Sequence, residues 1–179
     1  KTDLVTIGLG GNDFNLFHDL ILTSRGFQNI EQHLAEARLV QPNVEKAIQD
    51  IRKRAPHAKI IVVGYLRVFA SNGSCGDLPA ANLRAQADRI ERRINTSLAQ
   101  AAKSQEATYV DSYDLGNGHD VCAGKEAWVN GSRNALSIAA AYHPFRQGMD
   151  AVAREIYQTL KGKKPAHSPS LGNLEAVPR

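Results

Sequence analysis

Three short apolar runs, each rich in β-branched residues, alternate along this sequence with longer segments whose apolar residues recur at helical spacing. The runs are Asp3 to Gly8, Lys59 to Gly64 and Thr108 to Asp111. Each run is apolar on both faces, and helical segments separate the runs. The pattern therefore predicts a parallel sheet in an α/β layered domain, with the helical segments as crossover connections.

Three strands make a thin parallel sheet, so we expect further strands upstream of the first run. The sequence begins at Lys1, just before that run, and its only methionine is Met149. We therefore expect a segment to precede Lys1 in the parent protein. We also expect the Asp3 to Gly8 strand to lie at a sheet edge with apolar surface uncovered.

Four segments carry helical patterns. A mixed apolar segment runs from Phe14 to Leu22, a second helix is expected between Pro42 and Pro56, and a last helix is expected to open at Pro144. The most regular apolar stripe joins Leu83, Ala87, Ile90, Ile94, Leu98 and Ala101.

One domain is expected over residues 1–160, followed by a basic tail over residues 161–179. The formal net charge is +4, and the four basic residues and one acid of the tail account for +3 of it. A tail rich in Pro, Ser and Gly, without aromatics, is typical of a disordered segment rather than a nucleic-acid surface. No apolar run approaches the roughly 18 residues of a membrane-spanning helix. The sequence thus argues against a nucleic-acid partner and against a membrane span.

The two cysteines, Cys75 and Cys122, both lie in glycine-rich loop sequence. A disulfide between them would stabilise the fold and would require an oxidising compartment. Two free thiols in a cytosolic protein are the alternative, and the number of cysteines leaves both open.

The turn Gly10 to Asp13 follows the first strand, and ligands of open parallel sheets bind at the carboxyl ends of the strands. Its glycines permit a sharp turn, and the Asn12 amide offers neutral donors suited to a developing oxyanion. Asn12 or Asp13 as a simple helix cap is the alternative, and it would be favoured if the turn were considered alone. A dinucleotide-binding fingerprint is disfavoured because Asp13 stands where a third glycine is needed.

Near the other end of the domain, His143 directly precedes Pro144 at the expected start of the last helix. Histidine is the usual general base for activating a serine hydroxyl. A surface histidine that only caps the helix is the alternative, and a lone His-Pro pair would favour it.

Taken together, the Gly10 to Asp13 block and the late His143-Pro144 pair, with Gly148 in the helix, resemble the SGNH hydrolases, also called the GDSL lipase/esterase family. The loops Gly118 to Cys122 and Trp128 to Gly131 are similar to the secreted actinobacterial branch. The resemblance covers the chain to about Leu160. It implies a flavodoxin-like three-layer parallel sheet whose N-terminal strands are missing, in a secreted or cell-envelope protein.

The resemblance implies roles for individual residues. Asn12 would be the oxyanion donor and His143 the general base, with no metal and no nucleotide cofactor. The family's nucleophilic serine lies in a Gly-Asp-Ser block upstream of these motifs, and the nearest approach here, Gly76 to Leu78, carries leucine where serine is needed. Ala140 stands where the family commonly places the third catalytic residue, an aspartate, so we expect its main-chain carbonyl to accept the His143 ring N–H.

These roles predict an ester hydrolase of lipase or esterase type whose isolated chain is inactive, acting on small-molecule or lipid esters once the missing N-terminal segment supplies the serine. The alternative is a non-catalytic remnant that only binds its complementary N-terminal part. A carbohydrate ester as substrate stays open. Trp128 and Phe69 are candidates for an acyl pocket, Asp111 and Asp114 are expected to be structural, and His119 beside Asp120 is expected to be an ordinary loop pair.

Overall fold

The structure, a computed structural model, describes residues 1–15, 29–69, 81–131 and 139–162. Its elements in chain order are β1 (Leu4–Ile7), α1 (Ile30–Arg54), β2 (Lys59–Val63), α2 (Ala81–Ser104), β3 (Thr108–Val110), α3 (Ser112–Leu115) and α4 (Arg146–Leu160). Two short 3-10 turns lie at Asp13–Asn15 and Gly124–Glu126. The helix expected from Phe14 to Leu22 falls mostly outside the described residues, as does the tail from residue 163 onward.

The three strands form one parallel sheet in the order β1-β2-β3, which confirms the predicted sheet. Val5 pairs with Ile60, and Val62 pairs with Tyr109. Among the described residues β1 pairs only with β2, so its other edge carries no partner strand. Leu4 on this edge strand remains 39% exposed, as expected for a strand with uncovered apolar surface.

Helices α1 and α2 pack against each other and cover one face of the sheet. Their facing side chains are fully buried together with Val62 of β2: Val40, Val44, Ile48, Ile90, Ile94 and Leu98. Replacing one of these isoleucines or leucines by alanine would cost about 2–5 kcal/mol of stability. This packed pair holds the sheet firmly from one side.

Helix α4 lies on the opposite face. Because side chains alternate along a strand, Val63 of β2 points away from α1 and α2. It faces a cavity that it shares with Val152, Ala153 and Ile156 of α4. The domain therefore has the layered helix-sheet-helix order that the sequence predicts.

Two helix boundaries differ from the sequence prediction. Helix α1 begins at Ile30, capped by the Asn29 side chain, so Pro42 lies inside the helix rather than before it. Proline removes one helical hydrogen bond, but buried Leu34 and Ala37 extend the apolar stripe upstream and outweigh that loss.

Helix α4 begins at Arg146 instead of Pro144. Pro144 instead forms an isolated antiparallel bridge with Val129, and the Phe145 N–H donates a hydrogen bond to the Trp128 carbonyl oxygen over 2.7 Å. These contacts hold the two residues after His143 in extended conformation, which delays the start of the helix.

Candidate active site

The turn after β1 is packed tightly against helix α1. Gly10 has a φ of 106°, a conformation that side chains other than glycine rarely adopt. A Cβ atom on Gly10 would lie 2.5 Å from Cγ1 of Val40. The Asp13 N–H closes the turn by donating to the Gly10 carbonyl oxygen over 3.1 Å. Glycine is required at position 10 because the backbone there lies directly on the helix.

Asn12 and Asp13 have different environments within this turn. The Asp13 carboxylate accepts a hydrogen bond from Nδ2 of Asn43 on α1 over 2.9 Å, which ties the turn to the helix. Asn12 is exposed, and no described residue forms a hydrogen bond with its side chain. Its amide is therefore a solvent-exposed polar group of this turn.

The amide that precedes Asn12 is held from the other side by Tyr65. The Gly11 N–H donates to the Tyr65 hydroxyl oxygen over 2.9 Å. Tyr65 follows β2, and its own N–H donates to Oδ1 of Asn95 over 2.7 Å. Burial raises the pKa of the Tyr65 hydroxyl, and the nearby Asp13 carboxylate adds to the shift. The hydroxyl thus stays protonated and neutral beside the turn.

His143 has a defined tautomer. Its Nδ1 lies 2.8 Å from the carbonyl oxygen of Ala141. A carbonyl oxygen only accepts hydrogen bonds, so Nδ1 carries the proton and Nε2 is left as the basic nitrogen. The expected partner, the Ala140 carbonyl, instead accepts the His143 main-chain N–H over 3.1 Å. The acceptor is a main-chain carbonyl, but it belongs to a different residue.

Asn130 organises the backbone around His143. Its N–H donates to the His143 carbonyl oxygen over 2.9 Å, and its side-chain Nδ2 donates to the carbonyl oxygens of Ala139 and Ala140 at 2.8 and 3.2 Å. Tyr142 has a φ of 59°, an unusual conformation that turns the chain just before the histidine. The loop over residues 139–143, the histidine loop, is thus held by main-chain hydrogen bonds and by the side chain of Asn130.

The contacts of Tyr65 show that the Asn12 turn and the histidine loop lie at the same end of the sheet. Its hydroxyl contacts Gly11, and its side chain lines an apolar cavity whose walls include both neighbours of His143, Tyr142 and Pro144. The carboxyl end of the parallel sheet therefore carries a neutral amide donor and a histidine with a free Nε2.

This cavity has a volume of about 370 Å³. The other residues that line it come from the end of β2 and its loop, from the bridge at Val129 and from α4: Val63, Gly64, Leu66, Val68, Met149, Val152, Ala153 and Ile156. Neither aromatic expected in an acyl pocket lies among its described walls. Phe69 is buried against Tyr142, with ring centroids 5.7 Å apart, and Trp128 stacks on His119 at 3.8 Å.

Other candidate residues have structural contacts. The Asp111 side chain caps α3 by accepting the Asp114 N–H over 3.1 Å. His119 Nδ1 donates to the Glu126 carbonyl oxygen over 2.7 Å while its ring stacks on Trp128. Within the described ranges, no group of three or more His, Cys, Asp or Glu residues is arranged to hold a metal ion. The segment Gly76 to Leu78 lies outside those ranges.

Sequence reasoning missed the polar pair that fixes the loop after β2. Glu91 and Asn95 sit one turn apart beside the apolar stripe of α2, and both are buried. Glu91 accepts the N–H of Val68, and Asn95 accepts the N–H of Tyr65. Their spacing of one helical turn beside an apolar stripe was the sequence signal that could have predicted this buried polar pair.

Most of the chain matches a known family model. Residues 1–151 fit the model of the GDSL-like Lipase/Acylhydrolase family. The chain belongs to this family. The match confirms the family resemblance that the turn after β1 and the late histidine had indicated.

Curated relatives of this family member are lipases from Streptomyces. The chain is 30% identical over 155 residues to Lipase 1 of Streptomyces coelicolor, covering 82% of this chain and 56% of that protein. It is 29% identical over 154 residues to a lipase of Streptomyces rimosus, again covering 82% and 56%. The chain thus spans about half the length of the curated relatives it matches.

Solved structures confirm the SGNH fold. An extracellular lipase from Streptomyces rimosus superposes with a TM-score of 0.72 and 27% identity, covering 86% of this chain and 68% of that chain. A phospholipase A1 from Streptomyces albidoflavus NA297 superposes with a TM-score of 0.69 and 24% identity, covering 91% and 70%. The likeness to the phospholipase, at 24% identity, supports a common fold only. Among the helices that the structure describes, none is both long and apolar enough to cross a bilayer.

Proposed function

We propose that this chain supplies the general base and an oxyanion donor of a serine ester hydrolase. The observation that carries the proposal is the Nδ1–H of His143 bound to the Ala141 carbonyl, which leaves Nε2 basic at the sheet end where Asn12 presents its amide. Membership of a lipase and acylhydrolase family supports ester chemistry for this pair.

The mechanism follows from these positions. The serine hydroxyl oxygen attacks the ester carbonyl carbon while Nε2 of His143 takes the hydroxyl proton. The Asn12 amide donates to the resulting oxyanion, and such a donor is worth about 100-fold or more in rate. When the bond to the alcohol breaks, His143 returns the proton to the leaving oxygen. A water molecule then hydrolyses the acyl-enzyme by the same steps.

The carbonyl of Ala141 replaces the usual carboxylate in this scheme. It accepts the Nδ1–H and thereby keeps the tautomer in which Nε2 is basic. A neutral carbonyl stabilises the imidazolium less than a carboxylate would. We therefore expect a Ser-His dyad.

The nucleophile, in this proposal, comes from a Gly-Asp-Ser segment encoded upstream of Lys1 that adds a strand along β1. Within the part of the chain that the structure describes, the outer edge of β1 has no partner strand, and an added parallel strand would satisfy its backbone groups. Of the three described serines, two form hydrogen bonds elsewhere and one is buried. Ser97 donates to the Ala37 carbonyl and Ser104 to the Glu45 carboxylate, while Ser112 is fully buried.

The substrate class proposed is a lipid or small carboxylic ester, and the compartment is extracellular or the cell envelope. Relatives named lipases, one of them extracellular, support both. The proposal includes a disulfide between Cys122 and Cys75, the only other cysteine of the chain, and such a bond would require an oxidising compartment. Alkylation before and after reduction tests the pair: two thiols should react only after reduction.

The experiment compares residues 1–179 alone with the same chain preceded by its gene-encoded upstream sequence. We expect a fluorophosphonate probe to label the longer form and not the shorter one. His143→Ala should abolish hydrolysis of a p-nitrophenyl ester by the longer form, and Asn12→Ala should slow it about 100-fold. His57→Ala, in the exposed turn at the opposite end of the sheet, is the matched control. Labelling of residues 1–179 alone would contradict the proposed origin of the serine.

A second candidate function is favoured by two uncovered surfaces. A non-catalytic remnant would act only by binding its complementary N-terminal part. That part would cover both the β1 edge and the apolar cavity against α4. In that case neither form would react with the fluorophosphonate, although the longer form would be the more stable to urea. Ester hydrolysis by the longer form excludes this alternative.

A further inference from the structure

The backbone of the Asn12 turn is held by a side chain that lies 54 positions away in the sequence. The Gly11 N–H donates to the Tyr65 hydroxyl oxygen over 2.9 Å. Gly11 directly precedes Asn12, so the location of this amide fixes the point from which the Asn12 side chain projects. On its opposite side the turn rests on Val40, which would clash with any Cβ on Gly10.

Tyr65 is itself fixed by the inner face of α2. Its N–H donates to Oδ1 of the buried Asn95 over 2.7 Å, and Nδ2 of Asn95 donates to the Glu91 carbonyl over 3.1 Å. The Tyr109 hydroxyl also donates to Oδ1 of Asn95, over 3.3 Å. The tyrosine is thus anchored through its backbone and has little freedom to follow a moving turn.

Gly64 shows how closely this anchor is packed. A Cβ at that position would lie 2.4 Å from the Tyr109 hydroxyl oxygen and 2.6 Å from Oδ1 of Asn95. Only glycine therefore permits the approach that brings the Tyr65 N–H onto Asn95. Gly64 and Asn95 together hold Tyr65 so that its hydroxyl group contacts the Gly11 amide.

We propose that Tyr65 is the positioning residue of the oxyanion turn, and that it acts on ester hydrolysis through Asn12. The proposal rests on the function proposed above. Oxyanion stabilisation requires the donor to be in place before charge develops, since reorganisation during the reaction would consume the gain. Without its hydroxyl partner the Gly11 amide would be free to shift, and the Asn12 amide would shift with it.

The test is Tyr65→Phe in the longer form, which removes the acceptor and keeps the ring in the cavity wall. We expect kcat for a p-nitrophenyl ester to fall about tenfold with KM unchanged, the size expected for losing one hydrogen bond and leaving a donor unpaired. Tyr157→Phe, on the exposed surface of α4, is the matched control and should leave both constants unchanged.

A double-mutant cycle separates positioning from general structural damage. If Tyr65 acts through Asn12, adding Tyr65→Phe to Asn12→Ala should lower kcat by less than twofold, because the donor to be positioned is already gone. A second full tenfold loss in that background would overturn the proposal, since the two substitutions would then act independently.

A measurement without turnover distinguishes this proposal from the proposed function. In residues 1–179, Tyr65→Phe should accelerate hydrogen exchange of the Gly11 amide at least tenfold, while the amides of β2 keep their wild-type rates. If the wild-type longer form hydrolyses no ester, the proposed function fails, and the positioning role in catalysis fails with it. If esters are hydrolysed and the Gly11 amide is unaffected, only the positioning role is overturned.

Discussion

The buried carboxylate of Glu91 accepts a hydrogen bond from the main-chain N–H of Val68 over 2.9 Å. Its second oxygen lies 3.5 Å from the N–H of Phe69, and the residue is 0% exposed. Burial raises the pKa of this carboxyl well above its usual range, and the nearby Asp88 carboxylate adds to that shift. The loop that bears Tyr65 is therefore held to α2 by hydrogen bonds to the Glu91 carboxyl, which can change its protonation state.

Glu91→Gln should flatten the dependence of stability on pH. Because the folded-state pKa is raised, the folded chain binds the Glu91 proton more tightly than the unfolded chain does. The free energy of unfolding should thus fall as pH rises from the unfolded value near 4.5 through the raised folded value. Glutamine cannot ionise and removes this contribution. Urea unfolding at several pH values measures the difference.

The matched control for this change is Glu126→Gln, at an exposed position in a 3-10 turn. It should shift the unfolding free energy by less than about 0.5 kcal/mol at every pH. If the Glu91→Gln and wild-type curves run parallel from pH 4 to pH 9, the carboxyl does not change its protonation on folding. The predicted fall of the unfolding free energy with rising pH would then be wrong.

Gly10→Ala should destabilise the chain by about 2 kcal/mol, through a left-handed backbone and a clash with Val40. The neighbouring Gly8 is the control, since a Cβ there meets nothing within 4 Å and its backbone needs no positive φ. Gly8→Ala should be nearly neutral. Equal losses for the two variants, measured by urea unfolding, would show that the packing of Gly10 on α1 is not what fixes the turn.

The sheet and the principal helices could be predicted because each follows from a local pattern. Runs of β-branched residues gave the strands, and the stripe through Ile90 and Ile94 gave α2. Pro42 misled the prediction, since the rule that proline ends a helix is local and burial upstream overrode it.

The candidate site could be predicted only in part. Asn12 and His143 were found from short motifs, and their catalytic roles stay predictions. The Tyr65 contacts span 54 and 30 positions and depend on the fold as a whole. The acceptor of the histidine ring is the Ala141 carbonyl rather than that of Ala140, and the adjacent Tyr142 adopts a positive φ that no residue pattern there requires.

Asn130→Asp should cost about 2–4 kcal/mol at neutral pH, because the new carboxylate would face two carbonyl oxygens without a donor between them. The cost should shrink near pH 4, where the protonated carboxyl can again donate. Asn117→Asp is the control: its Oδ1 accepts from Arg67, so a carboxylate there keeps the contact. A loss for Asn130→Asp that does not depend on pH would contradict this account of the histidine loop.

Gly148→Ala tests how α4 supports the same loop. A Cβ at Gly148 would lie 2.7 Å from the Trp128 carbonyl oxygen and 3.0 Å from Cδ1 of Leu66, so the helix would have to move outward. We expect a loss of about 2 kcal/mol in urea unfolding, as for overpacking a buried contact. Gln147→Ala, exposed on the adjacent position, should be neutral.

A spectroscopic readout locates the effect of Gly148→Ala. Trp128 is the only tryptophan of the chain, and its ring stacks on His119 at 3.8 Å. Moving the Trp128 backbone away from Gly148 should disturb this stack and change the intensity of tryptophan fluorescence, because the environment of the indole would change. Unchanged fluorescence with reduced stability would place the disturbance at Leu66 instead, and the histidine loop would then be insensitive to the position of α4.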